Sequence, residues 1–142
     1  MTAQSSDSPL VPVVPVSWGE LLDKISILQI KSERVRSAEA QNNIRAELEQ
    51  LNAIAAKLLA GDARLQAACV RLKAINETLW EIEDRIRDKE RTQSFDADFV
   101  ALARSVYRTN DERSAIKREI NRHTGSLLVE EKQYAAYGRK EP

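Results

Sequence analysis

From Val16 to Glu141 the chain contains no proline, and its four glycines are scattered through that stretch. Proline and glycine are the residues that interrupt helices and shape tight turns. A sequence so poor in them is committed to long helices, and the other three prolines (Pro9, Pro12 and Pro15) are confined to the start. The apolar residues recur every three to four positions, which is the period of a helix with one buried face.

Ser17 is the expected N-cap of the first helix, with Glu20 three residues on as a capping box. Trp18, Leu21, Ile25, Leu28 and Val35 keep one face from there. That register fails beyond residue 36, where it would turn Glu39, Asn42 and Glu49 inward. A second stripe of Ile44, Leu48, Leu51, Ala55 and Leu58 starts out of phase with the first. The shift predicts a turn near Ser37–Asn43. Gly61 followed by Asp62 marks the next boundary, a helix stop and then an N-cap. Leu65, Leu72, Ile75, Leu79, Ile82 and Ile86 carry the third stripe, with Ala68 and Cys69 on the same seam. "TQSFD" forms the last turn, with Asp96 as N-cap, and Gly125 ends the fourth helix. The expected fold is all-α: helices at about 18–37, 42–60, 63–91 and 97–123, packed as an antiparallel up-down-up-down four-helix bundle.

Residues 1–8 read as a disordered tail, 9–16 as an extended proline-rich strap, 17–125 as the bundle domain and 126–142 as a tail with an apolar start. "PLVPVVPV" must be extended, because proline fixes φ and removes a donor. Its leucine and valines favour a strap laid across the bundle over a peptide ligand for another protein. "VPVV" and "LLV" are expected to meet at one end of the bundle, packed together or paired as edge strands.

The charge balance narrows the function. Lys plus Arg and Asp plus Glu both number 22, so the net charge is zero. A general nucleic-acid binder needs an excess of basic residues to displace counterions. No apolar run approaches the roughly 20 residues of a membrane span, and the proline-interrupted start lacks the basic region of a signal peptide. A single cysteine allows no internal disulfide and fits a reducing cytoplasm. With one histidine and one cysteine, the chain has no metal-ligand pattern. It also has no glycine-rich phosphate loop. Cys69 reads as core packing, and His123 as a helix C-terminal residue suited to the dipole. No cofactor and no catalytic residue is assigned.

The segment "LWEIEDRIRDKE", residues 79–90, is mostly a solvated face, and its i,i+4 pairs Glu81–Arg85 and Glu83–Arg87 are worth only about 0.2–0.5 kcal/mol each. One row differs. Asn76, Trp80, Glu83, Arg87 and Glu90 follow helical spacing beside the apolar seam, and a tryptophan there is expected to be buried or at an interface. On the fourth helix the core register falls on Thr109, Asn110 and Arg113, between Val106 and Ile116. In an antiparallel hairpin this gap comes level with Asn76 and Trp80. The two helices are therefore expected to share a polar layer built on Asn76, Asn110 and Arg113, with Tyr107 and Lys117 added to the same surface. Such a layer usually fixes register; the sharper alternative is a partner or ligand surface.

The third and fourth helices are longer than the first two, so their hairpin should project about 12 Å. The projecting part carries Ile86, Phe95, Phe99, Val100 and Leu102. An apolar tip of that kind marks an interface, and a two-fold homodimer closes it most simply. Another protein in the same place is the alternative.

Four stretches together resemble a family of small, all-helical bacterial proteins of uncharacterised function: "VPVSWGELLDKISILQIKSER", "LWEIEDRIRDKE", "FVALARSVYRTNDERSAIKREIN" and "GSLLVEEKQYAAY". The resemblance implies a helical fold and carries no catalytic residues. It also implies an accessory role near the glycosyltransferases of surface-polysaccharide assembly. "LLDKISILQIKSER" is separately similar to the first helix of all-helical chorismate mutases, with Arg34 as the counterpart of their arginine. That likeness implies a small-anion site also drawing on Arg113, Lys117 and Arg104. The sequence departs from the pattern after "ER", where the expected lysine is missing.

Overall fold

The computed structural model describes residues 10–131. The expected tail over 1–8, Pro9, and residues 132–142 of the expected C-terminal tail lie outside the described residues. Four α-helices make up the fold, and no strand occurs among the described residues: α1 Trp18–Arg34, α2 Ala38–Leu59, α3 Ala63–Arg91 and α4 Ala97–Thr124.

Local chemistry sets the helix ends. Ser17, Ser37, Asp62 and Asp96 each accept a hydrogen bond from the backbone N–H three residues on, satisfying one of the donors a helix start leaves open. Ser37 starts α2 at Ala38, four residues earlier than the apolar stripe predicts, and the first turn shrinks to residues 35–37. The side-chain cap takes over as soon as Val35 leaves helical geometry, so the first turn of α2 forms on Ser37 with its apolar stripe not yet begun. Gly125 ends α4 in the left-handed conformation, at φ 65°, which costs glycine no Cβ clash.

α1 is the centre of the bundle. It packs against all three other helices, whereas α2 lies along α1, touches α3 slightly and does not reach α4. The expected face of Leu21, Ile25 and Leu28 is buried, but so is a second one. Leu22, Ser26 and Ile30, with Asp23 beside them, are also buried. Leu65, Leu72 and Ile120 have no exposed surface, and full burial of such a side chain contributes about 1.5–3 kcal/mol.

Cross-helix contacts fix the directions. Gly19 meets Asn121 and Asp23 meets Arg113, so α1 and α4 run antiparallel. Arg71 meets Glu119 and Lys89 meets Asp96, so α3 and α4 do too. Gly19 allows the close approach of α1 to α4: a Cβ there would sit 2.6 Å from the Lys117 carbonyl oxygen.

Two expectations are corrected at the N-terminal side. Residues 10–16 do not lie across the bundle; Leu10, Val11, Val13 and Val14 are exposed. The ends of the bundle do meet, but through a polar contact, the Trp18 N–H donating to Ser126 Oγ at 3.4 Å, while Leu127 stays 98% exposed. Ser17 also makes only half of the capping box, because the Glu20 carboxylate turns to Lys117.

Candidate functional site

The two polar rows expected on α3 and α4 converge on a residue from neither helix. Asp23 of α1 is 1% exposed. One of its carboxylate oxygens accepts from Asn76 Nδ2 at 2.8 Å and from Arg113 Nε at 2.9 Å, and the other accepts from Arg113 Nη2. Asn76 also donates to Ser26 Oγ at 2.7 Å. A buried carboxylate is tolerated when its lone pairs are taken up and its charge is matched. Both conditions hold here. No buried side-chain nitrogen or oxygen among the described residues lacks a partner.

One turn further along α4, Lys117 is also buried. Its ammonium contacts Glu20 at 2.7 Å, Glu130 at 2.5 Å and Asp23 at 4.0 Å. Burial alone would disfavour its charged form, but Glu130, Glu20 and Asp23 together outweigh it and hold the pKa above the ordinary lysine value. Arg113 is likewise held above its ordinary value, chiefly by the hydrogen-bonded Asp23 carboxylate. Both cations are thus committed to carboxylates of the same chain.

An open cleft of about 530 Å³ lies beside this cluster, between α1, α3 and α4. Its lining combines polar side chains, Asn76, Asn110 and Arg113, with apolar ones, Ile27, Ile30, Leu79 and Val106. Trp80, Glu83, Asp84 and Arg87 complete the lining. Glu83 and Arg87 stand 3.6 Å apart there, both well exposed. The Arg34 guanidinium sits 5.9 Å from the Trp80 ring centre and bonds to Glu81 at 3.5 Å. Arg34 is therefore spent on the α3 surface.

The structure gathers Asn76, Trp80, Glu83, Arg87, Asn110 and Arg113 around one cleft, with Asp23 behind it holding Asn76 and Arg113. Lys117 belongs to the neighbouring carboxylate cluster, and Tyr107 is exposed and lies outside the cleft lining. Asp23 and Ser26 lie off the single apolar stripe of α1, on a second buried face. The signal was available: six of the ten residues in "LLDKISILQI" are apolar, too many for one face.

The hairpin tip divides differently from expectation. Phe95 and Val100 are exposed, Ile86 and Phe99 are half-buried, and Leu102 is 6% exposed, packed within its own chain and withdrawn from any interface. Phe95 and Phe99 meet edge to face at 5.2 Å, covering part of each other. Elsewhere, burial pushes the Cys69 thiol up, away from reactivity. His123 is engaged by Asp62 at 2.8 Å. Among the described residues no group of three or more His, Cys, Asp or Glu is placed to hold a metal, and no helix is long and apolar enough to cross a membrane.

Residues 13–139 match the model of a family of unknown function, DUF6165, and the chain belongs to that family. No curated protein and no solved structure matches it.

Proposed function

We propose, taking membership of this family as the premise, that the protein is a non-catalytic interaction module whose working surface is the α1–α3–α4 cleft together with the projecting hairpin tip. The observation that carries this reading is the internal neutralisation of Arg113 and Lys117. A site built to hold a small dianion needs cations whose donors are open. Here the Arg113 fork is aimed at Asp23, and the Lys117 ammonium is shared among three carboxylates. What remains at the cleft is an apolar wall with a charged rim, the composition of a surface that takes a peptide or helix edge.

The partner at the tip is a second copy of the chain or another protein of the same assembly, and the setting suggested by resemblance is surface-polysaccharide assembly in the bacterial cytoplasm. Phe95 and Val100, both more than half exposed, support the tip as a contact. Light scattering at about 100 μM, far above the roughly 1 μM dissociation constant that corresponds to −8.2 kcal/mol, should show a dimer that Val100→Lys dissociates. A strict monomer sinks the homodimer. Chorismate turnover by the purified protein, abolished by Arg113→Ala, would overturn the non-catalytic reading itself.

A further inference from the structure

Residues 10–16, "LVPVVPV", are exposed along their whole length, and they make no hydrogen bond among the described residues. Their backbone is nonetheless confined. Proline fixes φ at about −65° at positions 12 and 15, and the residue before each, Val11 and Val14, is pushed to the extended region. Ser17 continues in the same geometry at φ −71° and ψ 157°, close to the values of about −75° and +145° of polyproline II. As a strand the segment would be defective on both edges: Pro12 and Pro15 differ in parity, so each edge loses a donor. What it offers a partner is a polyproline-type ridge with apolar side chains, no charge, and seven carbonyls against five N–H groups. Such a ridge has no internal hydrogen bonds, and it docks in grooves that carry an aromatic ring.

The α1–α3–α4 cleft has the matching chemistry. Trp80 supplies the ring, and Ile30, Leu79 and Val106 supply apolar surface. Donors for the carbonyls are there as well. The Asn110 amide and the Trp80 indole N–H have no hydrogen-bond partner among the described residues, and Arg113 spends Nε and Nη2 on Asp23, leaving Nη1. Asp23 thus balances the charge of Arg113 without using all of its five donors, which suits a neutral carbonyl better than an anion. The lengths match too: Val106 and Arg113 are about 10 Å apart along the α4 axis, and one polyproline turn rises about 9 Å. Within one chain the two parts do not meet, since residues 10–16 are exposed and none of them lines the cleft.

We infer that residues 10–16 of a second copy of this chain occupy the α1–α3–α4 cleft, with a proline ring against Trp80 and backbone carbonyls accepting from Asn110 and Arg113. The assignment rests on the reading of the cleft as a docking surface and names its occupant. Every copy carries one segment and one cleft, so a reciprocal exchange closes as a two-fold dimer. Arg87 at the cleft adjoins Ile86 of the hairpin tip in sequence. Cleft and tip therefore belong to one interface, and removing either contact weakens the dimer.

The test is a nitroxide attached to Leu10→Cys in the full chain, with Cys69→Ser removing the other thiol. These chains are mixed at about 100 μM, far above a micromolar dissociation constant, with isotope-labelled chains that carry no nitroxide. Paramagnetic broadening should transfer to the Trp80 indole N–H, the Asn110 side-chain amide and the Val106 methyls of the isotope-labelled chains. Loss of an aromatic anchor weakens docking by roughly tenfold or more, so Trp80→Ala in those chains should reduce the transfer to Asn110 and Val106 in proportion. Asn110→Asp keeps the size and removes the donor; read at Val106, it gives the same answer should Trp80→Ala fail to fold. No transfer between chains overturns the inference, as does transfer that reaches the hairpin tip and spares the cleft, or transfer unchanged by both substitutions. Chains carrying both labels, diluted into unlabelled chains, report the intramolecular case: cleft broadening that persists there places the segment in its own cleft and overturns the exchange. The docking reading is judged separately, by chorismate turnover and by Val100→Lys.

Discussion

Asp23→Asn keeps the size of the side chain and removes its charge, which isolates what the buried carboxylate does. In the wild type that carboxylate takes two donors of Arg113 and one of Asn76. The amide offers one acceptor where the carboxylate offered two, and its own NH2 group faces incoming donors. Breaking a buried ion pair costs about 3–5 kcal/mol. Arg113 keeps 27% of its side-chain surface exposed, so water recovers part of the loss and the lower end, about 3 kcal/mol, applies. With a urea m-value of roughly 1.5 kcal/mol/M for a domain of this size, the unfolding midpoint should drop by about 2 M. Arg113→Met should cost less, because the Lys117 ammonium 4.0 Å away remains to balance Asp23. The double variant Asp23→Leu/Arg113→Met should recover most of the loss, since apolar replacement of a whole buried pair is often neutral. If Asp23→Asn lowers stability by less than about 1 kcal/mol, the value of an exposed ion pair, the layer does not hold the three helices together and the reasoning fails.

Gly19→Ala should destabilise by about 1–2 kcal/mol, because the overpacking of a Cβ 2.6 Å from the Lys117 carbonyl outweighs the gain in helix propensity; a thermal midpoint equal to wild type would refute the close contact of α1 with α4. Asp62 is held below the ordinary aspartate value first by the Leu65 backbone N–H and then by His123. A depressed carboxylate contributes stability above its unfolded pKa, about 3.9, and loses it as pH falls through the lower folded value. Asp62→Asn should therefore flatten the acid limb of the stability profile below about pH 4, and an unchanged acid limb would count against the contact.

Much of the helical frame was legible because its signals are local. Ser17, Asp62 and Asp96 announced three N-caps, and the phase shift between the Leu28 and Ile44 stripes announced the first turn. Ser37 was passed over because an apolar stripe begins where packing begins, a full turn after the backbone starts to coil. The polar rows on α3 and α4 could be placed level with each other from hairpin geometry alone. Their anchor is only half legible: the apolar density of "LLDKISILQI" points to a second buried face on α1, but it does not say that Asp23 on that face meets Arg113 ninety positions away. The exposed strap shows the reverse limit. Valine content argues for burial, yet Val11, Val13 and Val14 are exposed, so apolar composition alone does not place a segment against the bundle.

The central position of α1 also sets an order in time. Of the four helices α1 is made before α4, and its contacts with α4 span 90 to 102 residues of sequence. At about 5–20 residues per second, some 5–20 s of synthesis separate Asp23 from Arg113. Throughout that interval the nascent N-terminal half presents a helix apolar on two faces and a carboxylate without its guanidinium. α1 and α2 can pair early, but the bundle closes only when the last helix emerges. The wait for α4 leaves the nascent α1–α2 pair with its Asp23 carboxylate unpaired until Arg113 is made.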